Sequence, residues 1–307
     1  MDMKLTRRGL MAGAATLPFV AASTTAKADG HASGPQNAIQ NTFARGDFQV
    51  STLLAGTRPV GDVQGIFGMN VSADEFAAVS AENFIPADTA QFFFTPTVVQ
   101  TGSEVVLFDA GPSAAGTGAA LAAAGVSPDD VTIVVITHMH GDHIGGLTDD
   151  GGNATYKNAR YVTGQVEFDH WAGTGNERFE GKVRPFADNM TFIGGGDSVV
   201  SGITAVEAFG HTPGHMAYMI EDGGEGVLLM ADTANHYVWS LAYPEWEVRF
   251  DADKATAAAT RKKILGMVSA DRIPLIGYHM PFPGVGFVSE AEQGRVRYLP
   301  ATYQLML

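Results

Sequence analysis

The sequence predicts an α/β or α+β fold, and three observations carry that prediction. Apolar runs of strand length recur along the chain. Stretches with helix start and stop signals are interspersed among them. Ligand-type polar side chains gather just past the ends of the apolar runs, where loops carry chemistry on a rigid scaffold. With 307 residues, 45% of them hydrophobic, the chain can bury a sizeable core as one large domain or two small ones.

Residues 1–28 read as an export signal rather than as part of the fold. Lys4, Arg7 and Arg8 form a basic start, an apolar stretch runs from about residue 10 to residue 22, and Ala26-Lys27-Ala28 offers a small-x-small cleavage site. Thr6-Arg7-Arg8-Gly9-Leu10 resembles a twin-arginine signal, which predicts a periplasmic or secreted protein. The apolar stretch is too short for a permanent span, and no cysteine follows it to carry a lipid, so no stable membrane anchor is expected. Residues 29–42 are polar with Gly and Pro, as in a flexible leader, and residues 43–307 are expected to form a single domain.

Within that domain residues 47–54 alternate, 91–100 are rich in Phe, Thr and Val, and 104–108 are a compact apolar run; each predicts a strand. Residues 113–124 are alanine-rich and meet Gly125, which predicts a helix with a glycine stop. After the turn Ser127-Pro128-Asp129-Asp130, residues 131–136 form a continuous apolar run of the buried-strand kind. Residues 160–163 predict a strand and 165–171 a helix. Strands follow at 190–193, 203–208, 216–221 and 227–230, separated by Gly-rich turns. A helix is predicted over 253–269, started by Asp251 or Asp253, with Arg261, Lys262 and Lys263 favoured in its C-terminal half by the helix dipole. The strand at 273–277 leads into His279.

Composition narrows the chemistry. A net charge of -14 repels phosphate backbones, so no nucleic-acid partner is expected. The chain has no cysteine, which removes disulfides, thiolate ligands and a thiol nucleophile, and leaves His, Asp or Glu to hold any metal. Three of the nine histidines then fall in THMHGDHIGG, directly after the buried run VTIVVI. His138 and His140, two apart on a tight turn, can point to one ion, while Asp142 and His143 reach a neighbouring position. Gly141 allows the bend, and Gly145-Gly146 lets the chain pass close to the site. Further candidates each follow a predicted strand: His211-Thr212-Pro213-Gly214-His215, Ala231-Asp232-Thr233 and Tyr278-His279-Met280-Pro281.

In this order the stretches resemble the metallo-β-lactamase-fold hydrolases, from about Phe48 to the C-terminus: VLFDAG ending an early strand, then THMHGDH, GHTPGH, ADT and GYHMP. The resemblance implies a four-layer αβ/βα sandwich with the site at one edge of two facing sheets. It implies two zinc ions per chain, with Mn, Co or Fe as other occupants. Carried over by position, His138, His140 and His215 would bind one ion, Asp142, His143 and His279 the other, and Asp232 would bridge them. Asp109 and His211 would support these ligands from behind without touching metal.

The chemistry implied is attack by a hydroxide shared between the metals on a lactone or ester carbonyl, with Asp142 orienting it or accepting a proton. Within the family the stretches ITHMHGDHIGGL, FGHTPGHMAYMI and YHMPFPGVGFV most resemble the exported methyl parathion hydrolase-like and quorum-quenching lactonase-like branch. Some lactonases of the branch have tyrosine three residues after the bridging aspartate; here it is Asn235, so a proton donor must come from His236, Tyr237 or Asn235 itself. Phe67, Met69, Trp171, Asn235, Tyr237, Trp239, Trp246 and Phe282 are the expected substrate pocket; ordinary core or a homodimer contact is the other use of such aromatics. With few basic residues beside them, a neutral, apolar small-molecule ester or lactone is expected. Phosphotriester hydrolysis is the first alternative, a mono-iron oxygenase of the same fold the second, and a non-catalytic binding protein the third.

Overall fold

The structure, a computed structural model, describes residues 38–291 and 295–301. The export-signal reading of residues 1–28 lies outside the described residues. Strand β1 (Gln40–Arg45) pairs antiparallel with β2 (Phe48–Leu53), so the end of the span assigned to the leader is strand. The polar sequence hides this because only Phe43 and Arg45 of β1 are buried.

The chain continues through β3 (Gly56–Gly61), α1 (Ala73–Glu82), β4 (Thr89–Phe94), β5 (Thr97–Gln100) and β6 (Val105–Phe108). The strand expected over 91–100 is thus two strands. Pro96, with no N–H to donate, sits at the break. On one side β4 pairs with β3 in a separate hairpin; on the other β5 joins a larger sheet between β2 and β6. Helix α2 (Ala114–Ala123) is capped by Ser113, whose hydroxyl accepts from the Gly116 N–H. After β7 (Ile133–Ile136) comes the single turn α3 (Gly141–Ile144), then β8 (Arg160–Gly164), α4 (Gln165–Ala172), α5 (Glu177–Lys182) and β9 (Met190–Ile193). The first sheet has the order β1-β2-β5-β6-β7-β8-β9.

The second half supplies β10 (Ser198–Val200), β11 (Ile203–Glu207), β12 (Met216–Asp222), β13 (Glu225–Ala231), α6 (Lys254–Asp271), β14 (Leu275–Gly277), β15 (Val285–Glu290) and β16 (Val296–Pro300), a sheet in chain order. The facing sides of the two sheets share one core, with Phe43, Phe108 and Val135 against Tyr218, Leu229 and Ile276. On the outer face of the first sheet, Leu121 of α2 and Phe179 of α5 pack with Leu107 and Val134. On the outer face of the second, Ile264, Leu265 and Val268 of α6 pack with Leu228 and Leu275. The layers are therefore helix, sheet, sheet, helix. This is the sandwich implied by the motifs, with apolar surface removed from water on both faces of both sheets.

Helix α6 differs from expectation in one side chain. Asp253 caps it, accepting from the Thr256 N–H, but Arg261 does not serve the helix dipole at the surface. Arg261 is fully buried and donates to Asp251 Oδ2 at 2.7 Å, the Pro244 carbonyl at 2.9 Å and the Trp246 carbonyl at 3.2 Å. Among the described residues, no helix is long and apolar enough to cross a membrane.

Candidate metal centre

The parallel pairs β6–β7 and β13–β14 bring the C-terminal ends of these strands to one edge of the sandwich. Asp109 follows β6, His138 and His140 follow β7, Asp232 follows β13 and His279 follows β14. The Met216 N–H donates to the Thr137 carbonyl at 3.0 Å, tying the sheets together beside the site. His140 is the N-terminal flank of α3, so Asp142 and His143 lie within its one turn. Gly145 and Gly146 pass against the carbonyls of Pro112 and Ala110, where a Cβ would collide. Ala231 has φ 45, a left-handed conformation that alanine rarely adopts, at the step that leads into Asp232.

Two groups of side-chain donors result. His138, His140, His211 and Asp232 form one; Asp142, His143 and His279 form the other. In the first, His140 Nδ1 lies 3.1 Å from His138 Nε2 and 3.0 Å from His211 Nε2. In the second, Asp142 Oδ2 is 3.4 Å from His279 Nε2 and 3.8 Å from His143 Nε2. Asp232 stands between them: Oδ2 is 3.3 Å from His211 Nε2 and 3.2 Å from His279 Nε2, and Oδ1 is 3.3 Å from His143 Nε2. Ligand–metal bonds of ~2.0–2.1 Å give tetrahedral edges of roughly 3.3 Å, so the spacing suits ions held between these atoms.

The histidines are aimed by their outer nitrogens, as metal ligands commonly are. His143 Nδ1 is 2.8 Å from Asp109 Oδ2, and Asp109 also accepts from the Thr137 N–H and hydroxyl. His211 Nδ1 is 3.1 Å from Asp251 Oδ1, which Arg261 neutralises. His279 Nδ1 donates to the Phe93 carbonyl at 2.8 Å. His143 Nε2 and Asp232 Oδ1 are buried with no hydrogen-bond partner among the described residues, a state that costs free energy unless something else satisfies them.

His211 and His215 exchange the roles expected from sequence. Both nitrogens of His215 are used by backbone: Nδ1 donates to the Ala208 carbonyl at 3.1 Å, and Nε2 accepts the Asp232 N–H at 3.1 Å. No lone pair remains for a metal, so His215 positions Asp232. His211, expected behind the ligands, projects Nε2 into the first group instead. His236 also departs from expectation. It caps the turn Tyr237–Ala242, its Nδ1 accepting from Val238 and Trp239 N–H, and its ring stacks on Trp239 at 4.0 Å. Burial pushes its imidazole down to about 3, and it does not line the metal cavity.

Charge decides what the cluster can hold. Asp109, Asp142, Glu167, Asp232 and Asp251 gather here against one buried guanidinium, Arg261. Two divalent cations would supply the remaining balance, with the histidines neutral. Without them the field of the carboxylates acts on the imidazoles. Burial lowers His211, but its bonds to Asp232 and Asp251 outweigh it and raise the group to about 9. His143 is likewise raised, with Asp232, Asp109 and Asp142 overcoming burial.

A pH dependence follows for metal-stripped protein. A raised folded-state pKa contributes stability that is present below the unfolded value, ~6.5, and is lost as pH rises through the folded value. The stripped protein is therefore expected to melt several degrees lower at about pH 9.5 than at about pH 7, and the metal-loaded protein to lose less. Thermal melts with and without chelator check this; parallel pH profiles would refute it. Below ~6.5 the lowered His138, His140 and His215 act in the opposite sense, so the window is the alkaline one.

A cavity of about 230 Å³ opens over the cluster, lined by His140, Asp142, His211, Asp232 and His279 and walled by Phe92, Phe94, Phe250 and Arg58. The expected pocket residues lie elsewhere. Phe67, Trp239 and Trp246 are buried in a core cluster with Val63, Phe76 and Tyr243. Met69 is 46% exposed, Tyr237 lines a separate cavity with Tyr298, and Phe282 is half-buried outside the metal cavity. Asn235 is buried behind the site and donates to Asp232 Oδ2 at 2.9 Å. Trp171 is the expected aromatic that meets a site imidazole, its ring edge-on to His140 at 5.8 Å. Phe92 and Phe94 had a signal as part of the Phe-rich strand expected over 91–100, and Asp251 had one as a helix-cap candidate. Arg58, Phe250 and Glu167 had none.

Residues 95–274 match the model of the metallo-beta-lactamase superfamily, and the chain belongs to that superfamily. Among curated proteins it is similar to an N-acyl homoserine lactonase of Bacillus sp., 27% identical over 139 residues, which are 45% of this chain and 52% of that protein. A second, from Bacillus cereus, is 26% identical over the same length. The matched region spans about half the length of these relatives. Among solved structures the fold is similar to AidC, a dizinc quorum-quenching lactonase, with a TM-score of 0.79 at 22% identity over 87% of this chain and 99% of that one. The hydrolase AbOPH gives the same TM-score, identity and coverage.

Proposed function

We propose that the chain is a dinuclear metal-dependent hydrolase that opens a lactone or cleaves a related carboxylic ester, with zinc as the metal. The observation that carries this reading is the cavity, with the two donor groups as its floor and Phe92, Phe94 and Phe250 as its walls. When bound, two divalent cations supply Lewis acidity toward water and toward the carbonyl oxygen. His138, His140 and His211 would hold one and Asp142, His143 and His279 the other, with Asp232 between them. Two complete groups favour this reading over a mono-iron oxygenase. The similarity to N-acyl homoserine lactonases supports the substrate class. The basic, apolar N-terminal segment supports a periplasmic setting.

The protein's own groups divide the remaining work. Asp142 has 29% side-chain exposure against 3% for Asp232, so it is the more open of the two carboxylates that line the cavity. It takes the proton of the attacking water and returns one to the leaving alkoxide. The three phenylalanines exclude water around the ester and receive an apolar acyl or alkyl chain. Arg58 modifies the expectation of a purely apolar pocket. It sits on β3 opposite Phe92, its guanidinium 6.0 Å from the Phe94 ring centroid, with no salt bridge among the described residues. It therefore donates to an acceptor oxygen on the substrate away from the reacting bond.

A panel of γ-lactones, aryl esters, phosphotriesters and β-lactams, assayed with metal content on the same sample, tests the reading. About two zinc per chain and preference for lactones are expected. Turnover of phosphotriesters alone would sink the lactone reading, and absence of metal would sink both. Within the panel, Arg58→Met is expected to raise KM about 10-fold or more for an acylamino lactone and to leave an alkyl lactone within about 2-fold, since a charge-assisted hydrogen bond is worth ~1.5–3 kcal/mol. Equal losses on both would remove Arg58 from substrate recognition.

A further inference from the structure

Glu167 is fully buried on the first turn of α4, and among the described residues no cation is paired with it. Its carboxylate instead accepts four hydrogen bonds from two directions. Oε1 takes the Met139 N–H at 3.0 Å and the Trp171 Nε1–H at 2.6 Å. Oε2 takes the Thr212 hydroxyl at 2.7 Å and the Gly214 N–H at 3.0 Å. Met139 lies between His138 and His140; Thr212 and Gly214 lie between His211 and His215. One side chain thus grips both histidine loops, which come from different sheets, and holds the indole that stands edge-on to His140.

A second observation shows the join is built for close approach. Gly214 packs against the backbone of Val166 and Glu167, where any Cβ would collide with the Glu167 amide. The helix N-terminus favours a negative charge at this position. Four donors on one carboxylate satisfy its acceptor sites without a counter-ion.

We infer that Glu167 is a positioning residue that sets the spacing between His138 and His140 on one loop and His211 on the other, and so determines how tightly that donor group holds its metal. The inference rests on the two-metal reading of the site and not on the identity of the substrate. Glutamine is nearly isosteric but cannot accept all four bonds: its amide nitrogen must face one pair of donors. Turned toward Oε2 it leaves the Gly214 N–H without an acceptor, while the Thr212 hydroxyl can rotate to accept.

The test is competitive titration of the purified chain with zinc against a chromophoric chelator, together with the visible spectrum of the cobalt-loaded form. Glu167→Gln is expected to weaken one of two sites by about 10- to 100-fold, to leave the other within a few-fold, and to change the cobalt bands of the weakened site. Thr212→Val, which removes one donor and keeps the carboxylate, is expected to weaken the same site less, and the double variant by less than the product of the two. If Glu167→Gln fails to fold, Thr212→Val alone decides. A variant that melts lower but binds both metals with wild-type affinity and spectrum would make Glu167 merely structural and overturn the inference. A wild-type chain that takes up no metal would overturn the two-metal reading and this inference with it.

Discussion

His211→Ala is expected to reduce hydrolysis by about 10³-fold and to lower metal content from two ions per chain toward one. The imidazole offers Nε2 to the group formed with His138, His140 and Asp232, and its outer nitrogen is braced by Asp251. His215→Ala makes the contrasting case. His215 donates to the Ala208 carbonyl and accepts from the Asp232 amide, so its loss leaves two buried backbone groups unpaired and costs about 1–3 kcal/mol each in stability. Metal stoichiometry at moderate temperature should stay near two in that variant. Metal analysis and thermal melts on both proteins separate the roles. A His215→Ala chain that loses a metal while His211→Ala keeps both would restore the order expected from sequence.

The second large effect is expected at Asp232. Its two oxygens face imidazoles of both donor groups, and its Oδ1 is one of the buried atoms with no hydrogen-bond partner among the described residues. Asp232→Ala should lower both metal affinities together and cut activity by about 10⁴-fold. Asp232→Asn keeps the shape and should lose nearly as much, because the loss is one of charge at the centre of the cluster. Wild-type rates with two bound metals in either variant would end the bridging assignment.

Most of the donor set was readable because its pattern is local. H-x-H-x-D-H places four ligand-type residues on one strand end and one helical turn, and the short stretches around Asp232 and His279 each follow an apolar run that forms a sheet strand. His211 and His215 were harder. They lie four apart on one turn, and spacing alone does not say which ring faces the edge of the sandwich. Backbone decides it: β12 begins at Met216, which places His215 within reach of the Ala208 carbonyl and the Asp232 amide and leaves His211 at the open end.

The pocket was the least legible part. Tryptophans near the motifs in sequence were drawn into a core of their own, since large aromatic rings lose most when left in water. Phe92 and Phe94 took the pocket walls because Pro96 breaks the run and sends β4 out to pair with β3, carrying Arg58 with it. By itself the sequence determined the alternation of strands and helices, the exclusion of thiol chemistry, and the residue types able to hold cations. Those follow from local periodicity, composition and short-range spacing. Tertiary structure alone decided which histidine nitrogen is free, which carboxylates brace the site histidines, and which aromatics wall the cavity. These depend on the two sheets meeting at one edge, where residues far apart in the chain complete each other's hydrogen bonds and charge.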